Sequence, residues 1–278
     1  MMQQIKGLYK ISRPLSSFSG VLAVILGGYV AHTGAWLKIA LAGLATLLVA
    51  AAANAWNDYL DIEIDKVNQP KRPLPSGMIS LSLARNFSVI TSIVALLIGL
   101  AISLEIFIVA LFFVLLLYLY SWKLKSTVLI GNATVAITSA FSAVLGGLAA
   151  GNVWPSLWLA LIIGTAIMGR EVLKTLADYE GDLQEQCRTI ATVWGKRRAR
   201  VVFYLLAAAT LWVMLLPYLQ AVYKPIYVAI VLVGVYPVVF YILLRVTQDR
   251  TGPQLEQLSQ LMKYDFLIWF VAVWLGAG

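Results

Sequence analysis

The sequence predicts an all-α, polytopic membrane protein with nine transmembrane helices, arranged as two parallel four-helix repeats plus one. Three observations carry that reading. Of 278 residues, 61% are hydrophobic and only 12% are charged, with a mean hydropathy of +0.85, whereas soluble domains hold roughly 25% charged residues. The apolar residues come in runs near the ~20 that a helix needs to cross hydrocarbon. The basic residues between those runs fall almost wholly on alternate loops. Backbone amides inside a bilayer must be satisfied within their own segment, and the runs are too long for barrel strands, so they are helices.

The first span, about 15–33, follows Met1 to Pro14 directly. It has no short hydrophobic region with a cleavage site, so no cleavable signal peptide is expected. His32 near its far end is read as a polar interfacial residue. The second span, 36–57, runs into an acidic stretch. The third and fourth, 82–102 and 105–122, are parted at Ser103 to Glu105. The fifth, 128–150, starts after Lys123 and Lys125, and the sixth, 154–176, runs into a second acidic stretch. The seventh, 200–220, follows the basic tract Lys196 to Arg200, which is read as an anchor to anionic membrane lipid. Gln220 to Lys224 separates it from the eighth, 225–246, and the ninth is 261–277. Together they form one domain, with repeat halves of about 12–125 and 126–246.

Nineteen of the twenty-one Lys and Arg residues fall on one side of these spans, leaving Lys38 and Lys224 on the other. Positive loops stay inside, which places the N-terminus in the cytoplasm and the C-terminus on the opposite side of the cell membrane. The net charge of +8 is therefore topology and lipid contact, and no nucleic-acid partner is expected. All of the thirteen acids but Glu105 are assigned to the cytoplasmic side as well, with none near mid-membrane. Acids contribute little to orientation, so their grouping signals a site. Cys187 is the one cysteine, which excludes an intrachain disulfide and a Cys-based zinc centre.

The chain repeats itself. Leu26-Gly27-Gly28 recurs as Leu145-Gly146-Gly147, each followed by a Trp (Trp36, Trp154), and Asp58 is matched with Asp178 at nearly the same offset. Each acidic stretch is followed by a basic residue, a Gly and an Arg: Arg72, Gly77, Arg85, then Arg188, Gly195, Arg200. The offset covers four helices, an even number, so the halves run parallel about an axis along the membrane normal.

The first acidic stretch contains Asn54, Asn57, Asp58, Asp61, Glu63 and Asp65; the second contains Glu171, Asp178, Glu180 and Asp182. Residues three or four apart share a helix face, and like charges stacked there repel, at greater cost near hydrocarbon. Neighbouring cations, protonation or a divalent metal must compensate them. Oxygen ligands without His or Cys favour Mg²⁺ or Ca²⁺ over zinc, and Mg²⁺ commonly joins one or two carboxylates to substrate phosphates. Two such clusters ringed by Lys71, Arg72, Lys123, Lys125 and Arg188 would form a clamp for a diphosphate. Trp56, Tyr118, Tyr120 and Trp122 lie beside the clusters and could line a chamber for a cationic intermediate.

Asn57-Asp58-Tyr-Leu-Asp61-Ile-Glu-Ile-Asp65 resembles the NDxxDxxxD signature of the UbiA superfamily of intramembrane prenyltransferases, and Asp178-Tyr-Glu-Gly-Asp182 resembles its second DxxxD motif. Lys71-Arg72-Pro-Leu-Pro-Ser-Gly77 and Arg188-Thr189 continue the two motifs. The resemblance implies a nine-helix bundle around a central cavity, capped on the cytoplasmic side, that transfers a polyprenyl group from its diphosphate to an acceptor. It implies two Mg²⁺ held by Asn57, Asp58, Asp61, Asp65, Asp178 and Asp182, with Arg72, Lys125 and Arg188 taking up leaving-group charge. Asn54, Lys71, Lys123 and Arg13 complete the expected diphosphate and substrate ring. Many members carry YxxxK after the fourth helix; here Tyr118-Leu-Tyr120-Ser-Trp-Lys123-Leu-Lys125 departs in spacing, so Lys123 and Lys125 both stand as that lysine.

Tyr120-Ser-Trp-Lys-Leu-Lys125, Gly131-Asn132 and the second motif look most like the branch that makes digeranylgeranylglyceryl phosphate, which implies a lipid acceptor such as geranylgeranylglyceryl phosphate. Its phosphate would use Lys71, Arg170 and Lys174. An aromatic acceptor of quinone, tocopherol or chlorophyll type is the alternative, with Arg13 placed for a carboxylate. Asp65, Glu63 and Glu171 are candidates for the proton acceptor. A CDP-alcohol phosphotransferase would carry a DG…AR signature, absent here. A transporter would suit the parallel repeat but not acids confined to helix ends.

Overall fold

The structure, a computed structural model, describes residues 2–247 and 250–277. Among the described residues every regular element is helical. Contacts divide the chain into two compact units that interleave in sequence: Met1–Lys125 with Ser142–Ser156, and Ser126–Phe141 with Leu157–Gly278.

In the first unit, α1 (Met2–Ser12) exposes Met2, Ile5 and Tyr9 and buries Gly7 and Ile11. At Arg13 the backbone turns left-handed, with φ 48° and ψ 55°. Pro14 then opens α2 (Pro14–Tyr29) at a position where its missing N–H has no helical partner to lose. The 16 residues of α2 span about 24 Å at 1.5 Å each, short of the ~30 Å hydrocarbon layer. His32, expected at the end of this span, lies in the turn beyond it, exposed and with φ 53°. Then come α3 (Trp36–Leu60), α4 (Ile62–Asn68), α5 (Leu81–Ile102) and α6 (Leu104–Trp122). Ser80 and Ser103 start α5 and α6 by accepting from the N–H groups of Leu83 and Ile106, both at 3.2 Å, the usual role of serine at an N-cap.

Two long helices, α7 (Ile130–Ala150) and α8 (Trp154–Ala177), contribute to both units. Within the first unit α7 crosses α2 at the glycines of the repeat. A Cβ on Gly27 would strike the carbonyl of Ala143, and a Cβ on Gly146 would strike the carbonyl of Val24. The contact is reciprocal, each helix offering its glycine to the residue that precedes the other's by three. Small residues of this kind let membrane helices approach backbone to backbone.

In the second unit, α9 (Tyr179–Gln184) and α10 (Ile190–Trp194) follow α8, and Gly195, at φ 86°, turns the chain into α11 (Lys196–Leu219). The basic tract is thus the first turn of this helix, which starts four residues earlier than the apolar run. One further span is built from α12 (Pro225–Ile230) and α13 (Tyr236–Arg245), joined by a π-turn over Val231–Val235 in which the Tyr236 N–H reaches back to the Val231 carbonyl. Pro237 accounts for the turn: it has no N–H for the Val233 carbonyl, and its ring would press on that group in a regular helix. Widening the turn relieves both.

The last helix, α14 (Gly252–Gly276), begins nine residues before the expected ninth span because Thr251 and Gln254 form a capping box ahead of the apolar run. Its first residue packs against the Ala177 carbonyl, and its Gly276 carbonyl accepts from the Lys224 N–H at 2.9 Å. Among the described residues eight spans are long and apolar enough to cross a membrane: α3, α5, α6, α7, α8, α11, Pro225–Arg245 and α14. The bent pair α1 and α2, taken together, makes nine. The protein is a multi-pass membrane protein.

Candidate active site

The first acidic motif stands where α3 stops. Asp61 leaves helical geometry at φ −91°, ψ 8°, and α4 restarts behind it. Asp178 does the same between α8 and α9, at φ −87°, ψ 4°. Each donates its N–H one turn back, to Asn57 at 3.0 Å and to Lys174 at 2.8 Å, and each accepts from an Asp one turn on, Asp65 at 2.8 Å and Asp182 at 2.9 Å. The backbone therefore equates Asp61 and Asp65 with Asp178 and Asp182. Asp58, matched with Asp178 by sequence, lies inside α3 and corresponds to Thr175.

Within the first unit, side chains from four places gather on the motif. Asp58, only 2% exposed, accepts from the Arg13 guanidinium, with Arg72 3.5 Å away. Arg72 also donates to both oxygens of the buried Asp65, at 2.8 and 2.7 Å. Lys125 pairs with one oxygen of Asp61, and the Asn57 amide donates to the other at 2.9 Å. Asn54 donates to the Ser12 carbonyl at 3.1 Å, tying the end of α1 to α3. Of the two lysines after α6, it is Lys125, in a 3₁₀ turn at Leu124–Ser126, that reaches the motif, while Lys123 caps the helix and is exposed. Lys71 is exposed, and Glu63 pairs at the surface with Lys66 at 2.7 Å.

Trp56 stacks on Tyr118 with centroids 4.7 Å apart and planes 7° from parallel. The Tyr118 hydroxyl is fixed by Ser88 at 2.6 Å and Ser92 at 3.0 Å. Trp122 does not join them: it is 71% exposed.

Within the second unit, buried Glu171 has Arg170 at 3.4 Å and Lys174 at 3.3 Å. The Arg170 Nε also donates to the Ser259 carbonyl of α14 at 3.2 Å. Among the described residues, neither Asp178 nor Asp182 makes an ion pair. Burial pushes both carboxyls up, Asp182 to about 6 with Asp178 adding to the rise, while a hydrogen bond from Thr189 works the other way. Arg188 is exposed in the loop before Thr189.

Both motifs suit a hard divalent cation, since Asn57, Asp58, Asp61, Asp65, Asp178 and Asp182 offer oxygen alone. Among the described residues no three of His, Cys, Asp and Glu converge on one point. In the first motif the carboxylates meet basic side chains instead, so a cation there must exchange with those partners.

Asp265 lies inside α14 and not at a helix end. It stands 13 residues from Gly252 and 11 from Gly276 in α14, is 6% exposed, and has an Oδ1 without a hydrogen-bond partner. It borders a cavity of about 40 Å³ with Thr210, Met214, Val235 and Met262. The periodicity held the signal: Leu255, Leu258, Asp265 and Trp269 form the buried stripe of α14.

The sequence model of the UbiA prenyltransferase family matches residues 21–274. The chain is 32% identical over 268 residues to a digeranylgeranylglyceryl phosphate synthase of Methanosphaera stadtmanae, covering 96% of this chain and 98% of that one. It is 34% identical over 218 residues to the synthase of that name from Methanopyrus kandleri, covering 78% and 80%. Among solved structures, one of a digeranylgeranylglyceryl phosphate synthase superposes with a TM-score of 0.83 at 28% identity, over 99% and 98% of the chains. A UbiA homolog from Archaeoglobus fulgidus bound to GPP and Mg²⁺ superposes with a TM-score of 0.69 at 18% identity, over 96% and 99%.

Proposed function

The chain belongs to the UbiA prenyltransferase family, and from that premise we propose that it transfers a geranylgeranyl group from its diphosphate to the free hydroxyl of geranylgeranylglyceryl phosphate, with Mg²⁺. The observation that carries the reading is the cluster at the end of α3, where Asp58, Asp61 and Asp65 meet Arg13, Arg72 and Lys125. It brings ligands for a divalent cation and donors for a diphosphate to one place. The acceptor follows from the relatives' names and their nearly full-length identity.

Asn57, Asp58, Asp61 and Asp65 would hold one cation, and Asp178 and Asp182 the other. Bound there, Mg²⁺ supplies positive charge to the diphosphate oxygens and so eases departure of the leaving group. Arg72 and Lys125, with Arg13, donate to the same oxygens as charge builds on them in the transition state. Trp56 and Tyr118, stacked on each other, would line the chamber for the allylic cation. The acceptor hydroxyl attacks that cation and loses its proton; Glu63, held at the surface by Lys66, is poorly placed to take it, which leaves Asp65 and Glu171. The positive-inside rule supports a cytoplasmic mouth for each motif. An aromatic carboxylate acceptor is less well served, because this reading already assigns Arg13, held in the cluster by Asp58, to the diphosphate.

Purified protein given radiolabelled geranylgeranyl diphosphate, Mg²⁺ and a panel of lipid and aromatic acceptors is expected to form product with the glyceryl phosphate lipid. EDTA, Asp58→Ala and Asp178→Ala should each abolish it. Absence of turnover with every acceptor, or turnover indifferent to EDTA, overturns the proposal.

A further inference from the structure

We infer that the diphosphate and the second divalent cation open each other's binding sites by exchanging ion-pair partners, and that a cation arriving alone settles first on the second motif. This deepens the function proposed above and rests on it. The two motifs, equivalent in backbone, differ in how their charges are met. In the first, three carboxylates are matched by three basic side chains: Arg13 on Asp58, Arg72 on Asp65 and Asp58, Lys125 on Asp61. The remaining oxygen of Asp61 is taken by Asn57. The cluster has no net charge to draw a divalent cation, and the buried Asp65, both of whose oxygens accept from Arg72, cannot take one without releasing that guanidinium. The donors suited to a diphosphate are equally committed. In the second motif, Asp178 and Asp182 make no ion pair among the described residues, and the nearest lysine along the helix, Lys174, lies on Glu171 instead.

A diphosphate that accepts from Arg13, Arg72 and Lys125 frees three carboxylates; a cation that takes the carboxylates frees three donors. Each ligand therefore lowers the work of binding the other, and by linkage the two effects are equal. Couplings of this kind amount to roughly 5–150-fold in affinity. They give a fixed sequence of events: a first cation at Asp178 and Asp182, then the diphosphate and the second cation together. The chain would thereby avoid holding two cations without a leaving group to neutralise.

The test is Mn²⁺ binding by electron paramagnetic resonance on the full chain in detergent, with no turnover required. Wild type alone is expected to bind one Mn²⁺ tightly and a second more weakly. Asp178→Asn should remove the tight site, and Asp61→Asn should leave it. A prenyl thiolodiphosphate, or Lys125→Gln in its absence, should tighten the second site. The wild-type titration needs no variant to fold. Two equal Mn²⁺ sites without diphosphate, or a tight site lost in Asp61→Asn and kept in Asp178→Asn, would overturn the inference and leave the prenyltransferase reading intact. No Mn²⁺ bound under any condition would overturn both.

Discussion

Lys125→Met and Lys123→Met separate two lysines that spacing alone left equivalent. Lys125 is 30% exposed and its ammonium lies on Asp61, inside the motif; Lys123 is exposed at the end of α6. If Lys125 passes to the diphosphate, its loss removes one charged donor from the group that stabilises the leaving oxygens. Removing a single preorganised donor of that kind costs about 10²–10³ in kcat, or ~2.7–4 kcal/mol. The fold should tolerate the change, because Asp61 keeps the Asn57 amide as a donor. We therefore expect Lys125→Met to lower kcat by at least 10², with an apparent Tm close to wild type, and Lys123→Met to stay within a few-fold. Initial rates with radiolabelled prenyl diphosphate, with Tm measured in the same detergent, give both numbers. Equal losses from the two substitutions, or a near-normal rate in Lys125→Met, would refute the assignment.

Three further outcomes follow from other parts of the structure. Gly146→Leu should destabilise the first unit by roughly 1–3 kcal/mol or more through overpacking, seen as a lower apparent Tm, whereas leucine at Gly181, where an added Cβ meets nothing within 4 Å, should have little effect. Asp265→Leu removes an unpartnered buried oxygen, a group that costs about 1–3 kcal/mol, so its Tm should rise, and a fall would count against the orphaned state of that carboxyl. Asp182 is held near 6, above its unfolded value of 3.8, so the fold prefers it protonated. Its contribution to stability is fully present below pH ~4 and lost as pH rises through about 6. Metal-free wild type should accordingly lose Tm relative to Asp182→Asn between pH 4 and 7, and Mg²⁺ should narrow the gap at pH 7; parallel pH profiles would contradict this.

The spans were legible because hydrocarbon imposes one length on all of them, and the runs at 36–57, 82–102 and 154–176 reappear within a few residues as α3, α5 and α8. Ends set by a single side chain were not: Thr251 and Gln254 start α14 inside a polar stretch that hydropathy assigns to a loop. That shift puts Asp265 in the middle of helix α14 instead of near its start. The Asp residues of the site were legible as a motif, yet their partners were not, since Arg13 and Asp58 are 45 positions apart and Lys125 and Asp61 are 64. Arg13 is brought in by the left-handed turn before Pro14, a conformation that an Arg-Pro pair does not announce. The repeat was visible at its glycines, but its acidic landmarks were matched one turn out of step, because the break at Asp61 and Asp178 is a property of backbone angles.

The crossing of α2 and α7 has the form of a contact between two copies of one helix, for Gly27 meets Ala143 just as Gly146 meets Val24. An interface of that kind is its own complement: it needs no second surface to be invented, and either partner can drift only as far as the other allows.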